Sequence, residues 1–184
     1  IRGDEYIPSI AEHLQIFNAL GFEPIKYAHV APMQKMDGNS KRKISKRKDP
    51  EANVAFYLEE GYPVDSVREY LLTVANSNFE EWRKNNPNAS IDDFVVTTDK
   101  MSKSGALFDL PKLNDVSKNV ISKFDAQKVY NLCLEWAKQY DVDFAKILQN
   151  NKDYALKVFS IERGTNKPRK DIAKWNEVKT TYGY

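Results

Sequence analysis

The feature that most restricts the fold is a change of hydrophobic period near residue 50. Before it, residues 1–7 (IRGDEYI) read as a strand end running into a loop, and Pro8 and Ser9 open a helix. Ile10, Leu14, Phe17 and Leu20 are spaced by four, three and three, which is one helical face, and Gly21 ends it. Residues 27–33 are apolar and β-like, flanked by Pro24 and Pro32. Strand, helix, strand is the half-unit of a parallel α/β sheet. After Asp49-Pro50 the period turns helical and stays so: Val54, Tyr57 and Leu58 stop at Gly61, and Val64, Val67, Leu71 and Val74 follow. Ser90 and Asp93 have capping-box spacing. Asp109 and Asp125 are placed to cap two longer helices, the second with Val129, Leu132, Trp136 and Tyr140 on one stripe. Further helices are predicted over 142–148, 154–161 and 171–179, with a turn at Asn166–Pro168. The expected fold is mainly α with a small α/β part, with a domain boundary near residue 50.

The charge is unevenly placed. The 184 residues carry a net +2, but residues 35–48 (KMDGNSKRKISKRK) hold seven basic groups and one acid, a net +6. The remainder therefore carries −4. Residues 163–174 (RGTNKPRKDIAK) hold five basic groups and one acid. Focused basic charge is how a polyanion site looks in a sequence, although a solvated loop looks the same. A composition of 41% hydrophobic and 29% charged residues excludes a disordered chain, and no apolar run approaches the ~20 residues of a membrane span.

Common hydrolase and metal chemistry finds no footing. His13 and His29 lack Cys, His or carboxylate partners at metal-ligand spacing, so no metal site is expected. Cys133, the one cysteine, sits on an amphipathic stripe and reads as a small buried residue rather than a nucleophile. Neither glycine-rich phosphate motif, GxGxxG or GxxxxGK[ST], occurs. The segment Lys43-Ile44-Ser45-Lys46-Arg47 is different. Two lysines flanking a hydroxyl on a loop suit a pyrophosphate leaving group, whose charge grows as an α-phosphate is attacked. A loop can close on that charge and reopen to release product.

In order along the chain stand IRGDEYIPSIAEHLQIFNALGFEPIKYAHVAP, then DGNSKRKISKR, then FYLEEGYPVDSVREYLL. This order resembles the class I glutamyl-tRNA synthetases from residue 1 to about residue 124, with weaker motifs over 125–184. The resemblance implies the C-terminal part of a Rossmann-type catalytic domain over 1–50, a helical stem-contact domain over 51–124, and a helical segment leading toward an anticodon-binding domain. It implies attachment of glutamate to tRNA through a glutamyl-adenylate, with ATP and Mg²⁺ as substrate, in a cytoplasmic and usually monomeric enzyme. Arg2 is implied to clamp the substrate carboxylate. Glu5 and Tyr6 are implied to lie against the ATP ribose and adenine, Tyr6 standing where the family often has His or Trp. Lys43, Ser45 and Lys46 are the implied catalytic groups of the signature loop, with Ile44 beside the nucleotide. Arg47, Lys48, Lys100, Lys103, Arg169 and Lys170 are candidate tRNA contacts.

Two features stand apart. Lys100-Met101-Ser102-Lys103-Ser104 spells the literal class I signature, yet it follows the strand–helix–strand unit by some fifty residues. It is therefore expected to face RNA rather than ATP. The HxGH-type element of class I enzymes is absent, and the chain opens at Ile1. The expectation is an internal fragment, inactive alone because half of the ATP site lies elsewhere. Four alternatives compete: a glutaminyl-tRNA synthetase relative, the short paralogue that glutamylates a modified tRNA base, a non-enzymatic helical RNA-binding module, and a helical interaction domain with solvated basic loops.

Overall fold

The structure, a computed structural model, describes residues 1–183. The chain divides into two compact units, residues 1–44 with 73–108 and residues 45–72 with 109–184. This grouping follows contacts rather than chain order. The physical reason is local. Gln34 donates its N–H to Ala106 O at 2.8 Å and accepts from Phe108 N–H at 2.7 Å, so residues 105–108 run beside an early strand.

In the first unit, β1 (Arg2–Gly3) pairs in parallel with β2 (His29–Val30), and α1 (Ile10–Ala19) connects them. This is the expected strand–helix–strand half-unit. A 3₁₀ turn, Asp4–Ser9, replaces the expected loop between β1 and α1. No residue of α1 is buried, and Leu14, Leu20 and Phe22 stand 39%, 62% and 62% exposed. The basic segment is not a loop over most of its length. β3 (Gln34–Asp37) and β4 (Ser40–Lys43) form an antiparallel hairpin that places Lys35 opposite Arg42 and Met36 opposite Lys41. Gly38-Asn39 is the two-residue turn, Gly38 with φ +58°. Farther along, α4 (Phe79–Asn85) buries Phe79 against Trp82 and Phe94. Ser90 and Asp93 do form a capping box, on the 3₁₀ turn Ile91–Asp93. Gly105 adopts φ +86°, and any Cβ there would collide with Pro32 O.

The second unit has a closed core. α5 (Leu110–Ser122), α6 (Ala126–Tyr140), α7 (Val142–Asn150) and α8 (Lys152–Ser160) are the helices the apolar stripes predict. Val129, Cys133, Ala137, Phe144, Leu148 and Ala155 are fully buried in it. Asp109, Asp125 and Asp141 accept from Lys112, Lys128 and Phe144 N–H at 3.2, 2.7 and 3.0 Å, capping the first three helices. Such caps contribute about 1 kcal/mol each. α2 (Val54–Glu60) ends at Gly61 with φ +83°, and the Gly61 carbonyl accepts Trp175 N–H at 2.9 Å. A Cβ on Gly61 would meet Trp175 at 2.9 Å, so both the turn and the close approach require glycine. α3 (Val64–Ala75) carries the chain onward.

The helix expected over 171–179 is shorter and later. Residues 175–177 make a 3₁₀ turn, and only α9 (Val178–Tyr182) is α-helical. Residues 171–174 stay non-helical because their groups are held elsewhere. Lys174 pairs with Glu60, Ala173 N–H donates to Glu177, and the Ala173 carbonyl accepts from buried Ser117 Oγ at 2.5 Å. Among the described residues, no helix is long and apolar enough to cross a membrane.

Candidate functional site

The sequence-predicted residues Arg2, Glu5, Tyr6 and Lys43 share the first unit. Arg2 donates its backbone N–H to Ala28 O at 3.1 Å, which anchors it on the β1–β2 pair. Its guanidinium lies between two rings, 5.4 Å from the centroid of Tyr6 and 5.5 Å from that of Tyr27. One Nη donates to His13 Nδ1 at 3.1 Å, so this nitrogen of His13 is the unprotonated one. An arginine stacked and hydrogen-bonded in this way has a fixed fork, the form that grips a planar carboxylate. His13 and Tyr27 are the members of this cluster that sequence reasoning missed. The signal was topological, since a helix that connects parallel strands packs back over them.

Glu5 reaches Lys43, with Oε1 at 3.2 Å from Nζ. A backbone hydrogen bond at Glu5, and then the Lys43 ammonium, hold its carboxyl below the usual range. The strand that carries Lys43 is fastened at its end, where Ile44 N–H donates to Met33 O at 3.0 Å.

Ser45, Lys46, Arg47 and Lys48 belong to the second unit. They form a tight turn in which Lys48 N–H and Asp49 N–H both donate to Ser45 O, at 3.0 and 2.8 Å. Ser45 Oγ accepts Arg47 N–H at 3.4 Å. Lys46, Arg47 and Lys48 are exposed. The structure thus sorts the +6 segment. Arg42 is engaged by Asp37 at 2.8 Å and Lys43 by Glu5. Lys41, Lys46, Arg47 and Lys48 have no side-chain partner among the described residues, and three of these four are consecutive.

The second basic segment is largely occupied within its own unit. Arg163 donates to Ile121 O at 2.7 Å and Phe124 O at 3.3 Å, closing the C-terminus of α5. Arg169 pairs with Asp171 at 2.5 Å and lies 4.8 Å from the centroid of the Tyr182 ring. Lys174 pairs with Glu60, whose carboxyl burial would raise but Lys174 and Asn176 bring below its ordinary value. Lys167 and Lys170 remain as exposed cations. A count of charges does not show these pairings, and among the candidate contacts of this segment Arg169 has an acidic partner.

The literal signature at 100–104 lies in the first unit. Distance along the chain did not remove it from the fold of the early strands, because the adjoining residues 105–108 flank Gln34. Lys100 stands 3.8 Å from Asp99, and Ser102 Oγ is 3.3 Å from both Ser104 Oγ and Gly105 O. Lys100, Ser102 and Ser77 edge a polar cavity of about 280 Å³. Lys103 is exposed.

Cys133 is fully buried, and burial pushes its thiol well above the range of a nucleophile. Among the described residues, no three His, Cys, Asp or Glu side chains stand together to hold a metal.

Comparison with known proteins adds the following. Residues 1–115 match the family described as tRNA synthetases class I (E and Q), catalytic domain. The chain is 54% identical over its full length to a glutamate–tRNA ligase of Clostridium perfringens (strain 13 / Type A), of which it covers 34%. It is 42% identical to the glutamate–tRNA ligase of Sorangium cellulosum (strain So ce56), over 97% of this chain and 34% of that protein. The fold is similar to a crystal structure of a glutamate tRNA ligase from Elizabethkingia meningosepticum CCUG26117 in complex with its amino acid. That likeness has a TM-score of 0.68 at 20% identity, over 99% of this chain and 36% of the other. The chain spans about a third of the length of the relatives it matches.

Proposed function

The chain belongs to the class I tRNA synthetases for glutamate and glutamine, and on that premise we propose that it is the signature-loop portion of a glutamate–tRNA ligase. The observation that carries the reading is the 54% identity across all 184 residues to a glutamate–tRNA ligase. In this proposal the longer protein forms glutamyl-adenylate from glutamate and ATP, then transfers glutamate to tRNA. Residues 1–50 act as the end of the catalytic domain, 51–124 as the stem-contact domain, and 125–184 as a helical lead toward anticodon reading.

Arg2, fixed between Tyr6 and Tyr27, binds the glutamate carboxylate as a fork. Glu5, Tyr6 and Ile44 lie along the nucleotide. Lys43 and Lys46 serve the triphosphate, and their charge counts most as pyrophosphate leaves. Mg²⁺ arrives on the ATP phosphates and offsets their charge. The chain supplies cations to the phosphates beside it. Arg47 and Lys48, together with Lys100, Lys103 and Lys170, face tRNA phosphate; Arg169 contributes least, being paired with Asp171. The proposed enzyme is cytoplasmic and monomeric.

Glutamate-dependent ATP–pyrophosphate exchange tests this reading, comparing a longer protein that contains this chain with the 184-residue chain alone. The longer protein should exchange with glutamate, and the chain alone should not. Exchange with glutamine in place of glutamate would move the chain to the glutaminyl branch. Absence of exchange with either, alongside retained RNA binding, would favour the non-enzymatic module.

A further inference from the structure

The turn that presents the free cations is closed by a residue outside the signature. Asp49 follows Lys46, Arg47 and Lys48 directly, yet it is only 2% exposed. A carboxylate is kept out of water only where its oxygens accept hydrogen bonds. Asp49 Oδ2 accepts Ser45 N–H at 2.8 Å, and the Asp49 backbone N–H donates back to Ser45 O at 2.8 Å. The Asp49 carbonyl in turn accepts Ala52 N–H at 3.0 Å, which joins the turn to the 3₁₀ turn Pro50–Ala52 and so to α2. Pro50 restricts Asp49 to extended backbone, and Asp49 has φ −120° and ψ 107°. Both ends of the five-residue turn are thus tied, while the three side chains between them are exposed.

We propose that Asp49 is a positioning residue for the signature turn: its buried carboxylate holds the Ser45 amide so that the turn presents Lys46 to the triphosphate. This inference rests on the reading of residues 43–48 as the triphosphate-holding loop. It also predicts the opposite sign from simple electrostatics. Removing an acid from a basic segment should strengthen its attraction for any polyanion. If Asp49 positions the turn, removing its acceptor weakens binding despite the more favourable charge.

The test titrates the 184-residue chain with inorganic tripolyphosphate at low ionic strength and measures hydrogen exchange at the Ser45 amide. Asp49→Ala should speed Ser45 exchange about tenfold, the scale of one charge-assisted hydrogen bond, and weaken tripolyphosphate binding by about threefold or more. Asp49→Asn keeps a side-chain oxygen acceptor without the charge, so Ser45 protection and affinity should stay at the wild-type level or above. Protection of the Val129 and Cys133 amides in α6 reports that the unit is folded; if Asp49→Ala loses it, Asp49→Asn and Asp49→Ser decide, the serine losing affinity. Lys46→Ala should weaken binding while leaving Ser45 protected. Asp49→Ala that binds tripolyphosphate as tightly as wild type, or tighter, overturns the positioning role. Lys46→Ala without effect, alongside a loss in Asp49→Ala, overturns the phosphate reading of the loop instead.

Discussion

The two compact units use their apolar residues differently. In the second, α6 is flanked by α7 and α8, and Phe144, Leu148 and Val129 have no exposed surface. In the first, α1 has the same amphipathic spacing but no fully buried residue, and Ile16, Leu20 and Phe22 stand more than half exposed. A parallel strand pair such as β1–β2 is ordinarily covered on both faces. The lesson is that a clean helical stripe states what a helix would bury, and not that a partner is at hand. The candidate substrate groups Arg2, Glu5, Tyr6 and Lys43 sit on this unit, held by ring contacts, a hydrogen bond and an ion pair rather than by a buried core.

Hydrogen exchange should expose this contrast most strongly. Amides in the middle of α6 should exchange at least about a hundredfold more slowly than those of α1, because opening α6 breaks a buried core and opening α1 does not. Equal protection would break the comparison. Next in size is truncation. Leu148→Ala should cost about 3–5 kcal/mol in denaturant unfolding, whereas Leu20→Ala should change stability by no more than about 0.5 kcal/mol. A large cost at Leu20 would mean that α1 is packed after all.

Capping gives a smaller effect. Asp141→Ala removes the acceptor for Phe144 N–H and the partner of Lys179 at 3.2 Å, and should cost about 1–2 kcal/mol. The hydrogen bond from Phe144 N–H, and then Lys179, lower the Asp141 pKa. The sign follows: a carboxyl with a lowered folded pKa stabilises the fold above its unfolded pKa near 3.9, and that gain is lost as pH falls through the folded value. Thermal melts from pH 6 down to about pH 2 should therefore show a shallower acid decline for Asp141→Asn than for wild type. The smallest effect belongs to the first unit. Glu5→Gln should leave the melt unchanged, because Glu5 and Lys43 are about half exposed, 48% and 53%, and water screens their attraction.

Much of this was legible in the chain itself. The caps Asp109, Asp125 and Asp141 obey local rules, since a side-chain acceptor two or three residues before a helical N–H is written in the spacing; of these, Asp109 and Asp125 were anticipated and Asp141 was not. The early strand–helix–strand unit was legible for the same reason. The hairpin over 34–43 was not, because its strands are charged and lack the alternation that marks a half-buried ribbon. Its one cue was Asp37-Gly38. Arg163 and Arg169 counted as free charge in the sequence, although Arg163 is held by carbonyls at the end of α5 and Arg169 by Asp171 and the Tyr182 ring of α9. Asp49 read only as a break before Pro50. Its burial depends on a return hydrogen bond to Ser45, which four residues of spacing permit but do not require.

The central claim is that the chemistry belongs to the turn at 45–48 and not to the literal signature at 100–104. Glutamate-dependent ATP–pyrophosphate exchange by Lys46→Ala and Lys103→Ala, each in the longer protein that contains this chain, measures it directly. Lys46→Ala should reduce exchange about a hundredfold or more, the loss of one cation that acts in the transition state, and Lys103→Ala should change it less than about threefold. Loss of exchange in Lys103→Ala with near-normal exchange in Lys46→Ala would contradict the account.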